Sequence, residues 1–592
     1  MKKFKFLQIL SIAGLIMASC ANDTMEPTTG NNVSDDDVQG YLSVNIIAPS
    51  GVVTRGDVDE NYKDGSASEN QVNMVRFYFF DDDGNPFGIR KNPNAEGSYY
   101  CYYDWTPTEA DNNGNGDATE TVEKIMKVTI PLLGEVNTTG EASVLPDRLV
   151  AVLNPSKDVL DLDNPTSKDQ LNNLVKNYTD GLTDRNFVIT NSVYLDNNED
   201  KNVIDYTEIK PDLVKHTYEE AQANPLRIYV ERVVARLDLT IGGENVKTVE
   251  GKENTYETGV TYKPVDNPTI DKKVYVKFLG WSVTSTPTTS YLVKNIDPNW
   301  DIDFLNESGL EPWSVDAYHR SFWALNPSGV EYQWYSYNEI FGGGAATKKG
   351  VTMDKQTVYM HENANPATGG LLKTARPTQV IVAAQLVDED GEELEIAEYY
   401  QQKYTLSGLK DYVAGRIYLF RKDNQDKYTQ IKPTDLTFMT KAEWSGEAGP
   451  DEEDSYYVYF TLTDDAAKED WYSSPTNGRA EEDDYVKVDP EKINQYIYDS
   501  ANRAMVWKGG ATYYFFTVKH LGEANKAGEY GIVRNHIYDA IVTKVAGLGT
   551  PVWNPNEVIY PEPVDNSADN LLAAEIRVLM WRLVQGKYEF SW

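Results

Sequence analysis

The sequence predicts an all-β protein with a few short helices, built as two β-sandwich domains in tandem. Three observations carry this expectation. The chain holds 40 Tyr and 12 Trp, and with frequent Val and Thr this composition favours pleated, half-buried strands. The doublets Tyr99-Tyr100, Tyr102-Tyr103, Tyr399-Tyr400 and Tyr513-Tyr514 fit strands better than helices. Short apolar or alternating runs recur between turn residues, with little helical periodicity and no fixed repeat. Many turn-punctuated strands and few helices read as sandwiches. At 592 residues the chain is also too long for a single core.

The elements follow in order. Lys2, Lys3 and Lys5 precede the apolar run from Phe6 to Ala18, which is too short to anchor across a bilayer. Met17-Ala-Ser-Cys20 then puts small residues before a cysteine, the arrangement that a bacterial lipoprotein signal peptidase cuts. Residues 1–19 are therefore expected to be a lipoprotein signal peptide and Cys20 a lipidated mature N-terminus. The other reading is an ordinary secretory signal that happens to contain a cysteine. Residues 21–39 are polar turn formers and read as a disordered tether. In the run 41–47, Leu42, Val44 and Ile46 alternate on one face of a half-buried strand. A break follows at 49–56, with Arg55 a lone basic residue in acidic surroundings.

Further strands are expected at 74–80, 125–132 and 148–153, and a short surface helix at 167–175, capped by Ser167 with Leu171 and Leu174 in spacing. The run 228–241 reads as one long strand, and a domain boundary is placed just before it, near 221–225. The first domain is then 56–225 and the second 226–570. The second continues with strands at 274–283, 330–337, 379–387, 456–462 and 513–518 and a short helix at 492–498. The acidic clusters 451–454 and 481–484 read as solvated turns.

Composition excludes several functions. Against 55 Lys and Arg stand 92 Asp and Glu, a net charge of −37. Such a surface repels phosphate backbones, so no nucleic acid is expected as a partner. Only two cysteines occur, Cys20 and Cys101; with Cys20 lipidated, no disulfide framework is possible and burial must supply stability. No second apolar stretch approaches a membrane-spanning length.

Enzyme chemistry finds no support. The five histidines (216, 319, 361, 520 and 536) form no metal-protease pair, and Cys101 lacks zinc spacing. The glycine-rich 342–348 lacks Walker spacing, and Gly-x-Ser-x-Gly is absent. Carboxylate pairs are too common among 92 acids to nominate a glycosidase dyad. No cofactor is expected beyond the covalent lipid. One near miss is Asp111-Asn-Asn113-Gly-Asn115-Gly116, the first half of a calcium loop whose twelfth position is Val122, flanked by Glu120 and Glu123. It reads as an acidic insertion or as a weak calcium site.

The C-terminal text is the most distinctive: 513–522 (YYFFTVKHLG), 531–538 (GIVRNHIY), 545–552 (VAGLGTPV) and 573–583 (AAEIRVLMWRL). Together with the lipobox, Thr54-Arg55 and 187–192 (FVITNS) it resembles the Mfa-type fimbrillins, major subunits of type V pili, related more distantly to the FimA fimbrillins. The resemblance implies transthyretin-like sandwiches and a precursor carried to the outer membrane as a lipoprotein. It implies that an arginine-specific protease cuts at Arg55-Gly56 and so removes a propeptide, residues 20–55. The displaced strand would carry Leu42, Val44 and Ile46, opening an acceptor groove in the first domain. The groove would be refilled by the C-terminal strand of the next subunit, within 571–592, through Ile576, Val578, Leu579, Met580, Trp581 and Leu583. Implied partners are other copies of this chain, anchor and tip fimbrial subunits, the protease and, before processing, the outer membrane. The mature form would be a cell-surface fimbrium supporting adhesion and biofilm formation.

Physical chemistry makes such assembly feasible. A sandwich lacking a strand exposes unpaired backbone and an apolar trough, a template for strand addition. Burying about five apolar side chains offers roughly 8–15 kcal/mol before ordering costs. Head-to-tail donation does not close, so it gives an open polymer. Two alternatives stay open here: that 573–584 is the last internal strand of its own domain, and that the chain is a monomeric surface lipoprotein binding glycans or host proteins through aromatic platforms such as Trp334 to Tyr337.

Overall fold

A computed structural model of the chain describes residues 38–47, 62–66, 68–108, 125–132, 145–180, 182, 186–195, 203–265, 269–296, 324–363, 377–444, 457–474, 484–520, 530–561 and 572–582. The fold is all-β with short helices, as expected. Among the described residues four hydrophobic clusters form, three large and one small around Tyr337, Ile340 and Tyr513.

The first core lies against an eight-stranded sheet. Its order is Tyr102–Trp105, Val75–Phe80, Arg148–Leu153, Ile189–Asn191, Leu226–Arg232, Gly40–Ile47 and Ile125–Leu132, with Thr207–Glu208 beside Arg148–Leu153. Val75–Phe80 and Arg148–Leu153 are buried nearly throughout, which explains their unbroken apolar character. The last strand carries Pro131, tolerated because among the described residues this strand pairs on one side only. The expected helix at 167–175 is shorter, Lys168–Asn172, and Ser167 caps it by accepting from the Gln170 amide. It is not a surface helix: Lys168, Leu171 and Asn172 are buried.

The long strand expected over 228–241 is two strands broken at Val233. Leu226–Arg232 belongs to the first sheet and Val234–Asn245 to the next. The sheets therefore divide at Val233, not near 221–225. Both halves are apolar and the break is a single buried valine, so the pattern runs across it without a turn signal.

The second core is shared by two five-stranded sheets. One runs Tyr62–Asp64, Leu572–Arg582, His536–Val545, Val234–Asn245, Thr357–His361; the other runs Thr255–Tyr262, Lys272–Thr284, Gln379–Val387, Ala511–Thr517, Thr550–Pro551. Trp281, Tyr514 and Tyr538 fill the space between them, fully buried. The strand expected at 330–337 is instead two short pieces, Tyr332–Gln333 and Tyr335–Ser336, leading into the helix Tyr337–Phe341. A Ser336–Glu339 capping box starts that helix, and Gly342, at φ 82°, ends it; residues 342–348 form the loop beyond.

The third core is an insertion. Gln379–Val387 and Ala511–Thr517 pair antiparallel, and between them residues 388–510 build their own sheets and helices. Leu406–Ala414 is capped by Thr405 and buries Leu409 and Val413 one turn apart. Ile493–Ala501, expected at 492–498, buries Ile497 against Val458–Leu462. Tyr399-Tyr400 is not a strand doublet. Tyr399 ends a strand, and Tyr400 and Gln401 form the two-residue turn that follows, at φ 47° and 63°.

Candidate functional site

The sequence singles out two segments, and the structure gives each a register. Gly40–Ile47 is an interior strand. It runs antiparallel to Ile125–Leu132 over eight pairs and parallel to Leu226–Arg232 over four, from Val44↔Leu226 to Ile47↔Tyr229. Leu42, Val44 and Ile46 are each 0 % exposed and sit in the first core. Polar contacts add to this: Thr129 donates to Ser43 Oγ at 3.2 Å, and Tyr41 and Lys215 exchange backbone hydrogen bonds at 2.7 and 3.0 Å. Strand 125–132 reaches the rest of its sheet only through this strand, among the described residues. Lifting 40–47 out would therefore leave an unpaired edge on each side of an apolar trough.

Leu572–Arg582 does not project as a free tail. It pairs antiparallel with His536–Val545, from Val545↔Leu572 to His536↔Met580, and at its far end runs parallel to Tyr62–Asp64, from Tyr62↔Met580 to Asp64↔Arg582. The backbone register pairs Ile576 with Ala540, Val578 with Tyr538, Leu579 with Ile537 and Trp581 with Lys63. The segment expected as a donor thus lies paired in its own chain's sheet. Like 40–47, it has one antiparallel and one parallel neighbour. Its 11 residues exceed the 8 of the first strand.

Between these strands lies a joint the sequence did not reveal. Ser290–Tyr291 pairs with Val175–Lys176, and Leu292, Val293 and Ile296 pack into the first core. Lys294 donates to Glu231 Oε2 at 2.9 Å, with side chains 0 % and 4 % exposed. Burial pushes the Glu231 carboxyl up and the Lys294 ammonium down, each against the pull of the other. Arg534 donates Nε–H to Glu362 Oε2 at 2.7 Å and reaches the carbonyls of Leu292 and Tyr291 at 2.9 and 2.8 Å. Burial lowers the Arg534 affinity for its proton, but the Glu362 carboxylate more than restores it. Beside it, His361 accepts the Tyr178 amide at Nε2 and stands 2.9 Å from the Pro287 carbonyl at Nδ1, which fixes a neutral ring with the proton on Nδ1. Burial brings its pKa down to about 4. Each of these charged residues is scattered in sequence, and only the excess of charge inside apolar runs, as at Glu231 and Arg232, gave any hint.

Other expected residues fare as follows. Cys20, Arg55, Gly56, Leu583 and the calcium-loop residues Asp111, Asn113 and Asn115 lie outside the described residues. Cys101 is buried, its thiol pushed up to about 12 by desolvation. Among the described residues no group of three or more His, Cys, Asp or Glu is arranged to hold a metal. Trp334 packs against the exposed Tyr560, ring centroids 5.0 Å apart.

Residues 505–586 match the family described as major fimbrial subunit protein type IV, fimbrillin, C-terminal. The resemblance read from the sequence holds over that segment. No curated protein matches. Similar solved structures include a candidate cell adhesion protein from Parabacteroides distasonis (12 % identity, 93 % of this chain and 98 % of that one, TM-score 0.38). A fimbrilin from Porphyromonas gingivalis W83 is 12 % identical over 93 % of this chain and 98 % of that one, with a TM-score of 0.36. A tip fimbrial protein from Porphyromonas gingivalis is 10 % identical over 91 % of this chain and 99 % of that one, with a TM-score of 0.30.

Proposed function

We propose that this protein is a structural subunit of a cell-surface fimbrium, made as a lipoprotein anchored through Cys20 to the outer membrane and activated by cleavage between Arg55 and Gly56. Cleavage releases the strand 40–47, and a donor strand from another copy takes its place, giving a head-to-tail polymer joined to anchor and tip subunits. One observation carries this reading: an interior strand whose Leu42, Val44 and Ile46 are wholly buried lies on the N-terminal side of the lone Arg55. The C-terminal strand is the donor. Its cis pairing with 536–545 means that donation is an exchange of ladders, so the net driving force is the difference between two sets of strand contacts.

The test is to treat the purified precursor with an arginine-specific protease, read the new N-terminus, and follow high-mass species on gels with and without prior heating. A start at Gly56 together with a heat-sensitive ladder is expected. A surface form that still begins at lipidated Cys20, or a cleaved form that stays monomeric at high concentration, would sink the reading.

A further inference from the structure

A polar cleft of about 500 Å³ opens on the first domain, away from both exchanging strands. Its walls are the Asp83-Gly84 turn, the start of strand 148–153, the first turn of helix 168–172 and residues 203–206. The floor is a locked charge pair. Lys168, 7 % exposed, donates to both Asp205 oxygens at 2.7 Å, and Asn172 donates to Asp205 at 2.5 Å. The two charges neutralise each other.

What they leave over is the informative part. The Arg148 guanidinium lies 4.6 Å from the Tyr206 ring centroid and, among the described residues, makes no side-chain hydrogen bond or ion pair. Among the described residues Asp83 and the Tyr206 hydroxyl make no side-chain hydrogen bond, Lys168 Nζ lies 5.7 Å from the Tyr206 ring centroid, and Asp169 meets Lys168 at 3.4 Å. The cleft thus gathers one guanidinium and two carboxylates, Asp83 and Asp169, among its lining residues, beside the neutralised Lys168–Asp205 pair. An anionic ligand would meet Asp83 and Asp169, and a cationic one would meet Arg148. A ligand rich in hydroxyls uses both, because each hydroxyl can donate to a carboxylate and accept from a guanidinium. The volume is several times that of a free amino acid and suits one or two sugar rings.

We propose that this cleft binds a neutral mono- or disaccharide, with Arg148 donating to its oxygens and Asp83 and Asp169 accepting from its hydroxyls. The site stands independently of strand exchange. Saturation-transfer NMR and titration calorimetry on the intact protein test it, using methyl α-D-mannopyranoside, methyl β-D-galactopyranoside and lactose as probes, with glycine and acetate for the zwitterionic and anionic alternatives. Transfer to at least one sugar is expected, weakened about tenfold or more by Arg148→Ala and by Asp83→Asn, as loss of a charge-assisted hydrogen bond predicts. Asp83 lies on an exposed turn, so that variant keeps the test clear of folding defects. Silence from all three sugars, sugar transfer that survives both substitutions, or transfer to glycine or acetate in their place overturns the proposal.

Discussion

Lys294 and Glu231 form a sealed ion pair between the segment 290–296 and the strand 226–232, 2.9 Å between Nζ and Oε2 with neither side chain open to water. Glu231 lies on the strand that flanks 40–47, and Lys294 on the segment 290–296 that packs over the first core. The pair, with Arg534 and Glu362 beside it, makes the joint between the groove and the sheet that holds the C-terminal strand.

Breaking one partner is therefore expected to be expensive. Lys294→Met leaves a buried carboxylate without its counter-charge and should cost about 3–5 kcal/mol in urea unfolding. Adding Glu231→Gln to the same chain should recover most of that loss. Equal destabilisation by the single and double variants would show that the coupling is absent.

The first strand should behave as part of the core before cleavage. Ile46→Ala removes fully buried atoms from the first core and is expected to lower stability by about 2–5 kcal/mol. A chain beginning at Gly56 should bind a synthetic 38–48 peptide, read by fluorescence anisotropy, and Val44→Asp in that peptide should abolish the binding.

Deleting 571–592 should leave a folded protein that cannot extend filaments, but the cis ladder adds a consequence. Amides of 536–545 should lose hydrogen-exchange protection, because their partner along 572–580 is gone. Global unfolding on deletion would make the strand an obligate core element instead of a donor.

Acid should weaken the joint. The unfolded chain binds a proton at His361 near pH 6.5, while the folded chain resists until about pH 4. Stability is thus full above pH 6.5 and falls as pH drops through the window from 6.5 to 4, by about 3 kcal/mol for this group. His361→Gln should flatten that slope in pH-resolved denaturation; an unchanged slope would exclude His361 as its source.

The Tyr400-Gln401 turn holds two non-glycine residues at positive φ. Replacing the pair by Asn-Gly should raise thermal stability by about 1–3 kcal/mol, since those residues adopt the turn without strain.

The sequence by itself determined the fold class, the strand at 40–47 with its buried face, the Ser167 cap and the fimbrillin-like C-terminal text. Those signals are local: alternation, capping and a run of ordered residues report on their own neighbourhood. Tertiary structure decided that the break falls at Val233, that 388–510 is an insertion with its own core, and that 572–582 pairs with 536–545. Apolar periodicity states that a face is buried and is silent about which strand covers it. The Lys294–Glu231 joint and the Arg148 cleft were hidden for the same reason: their members are far apart in the chain, and only the fold brings their charges within reach of one another.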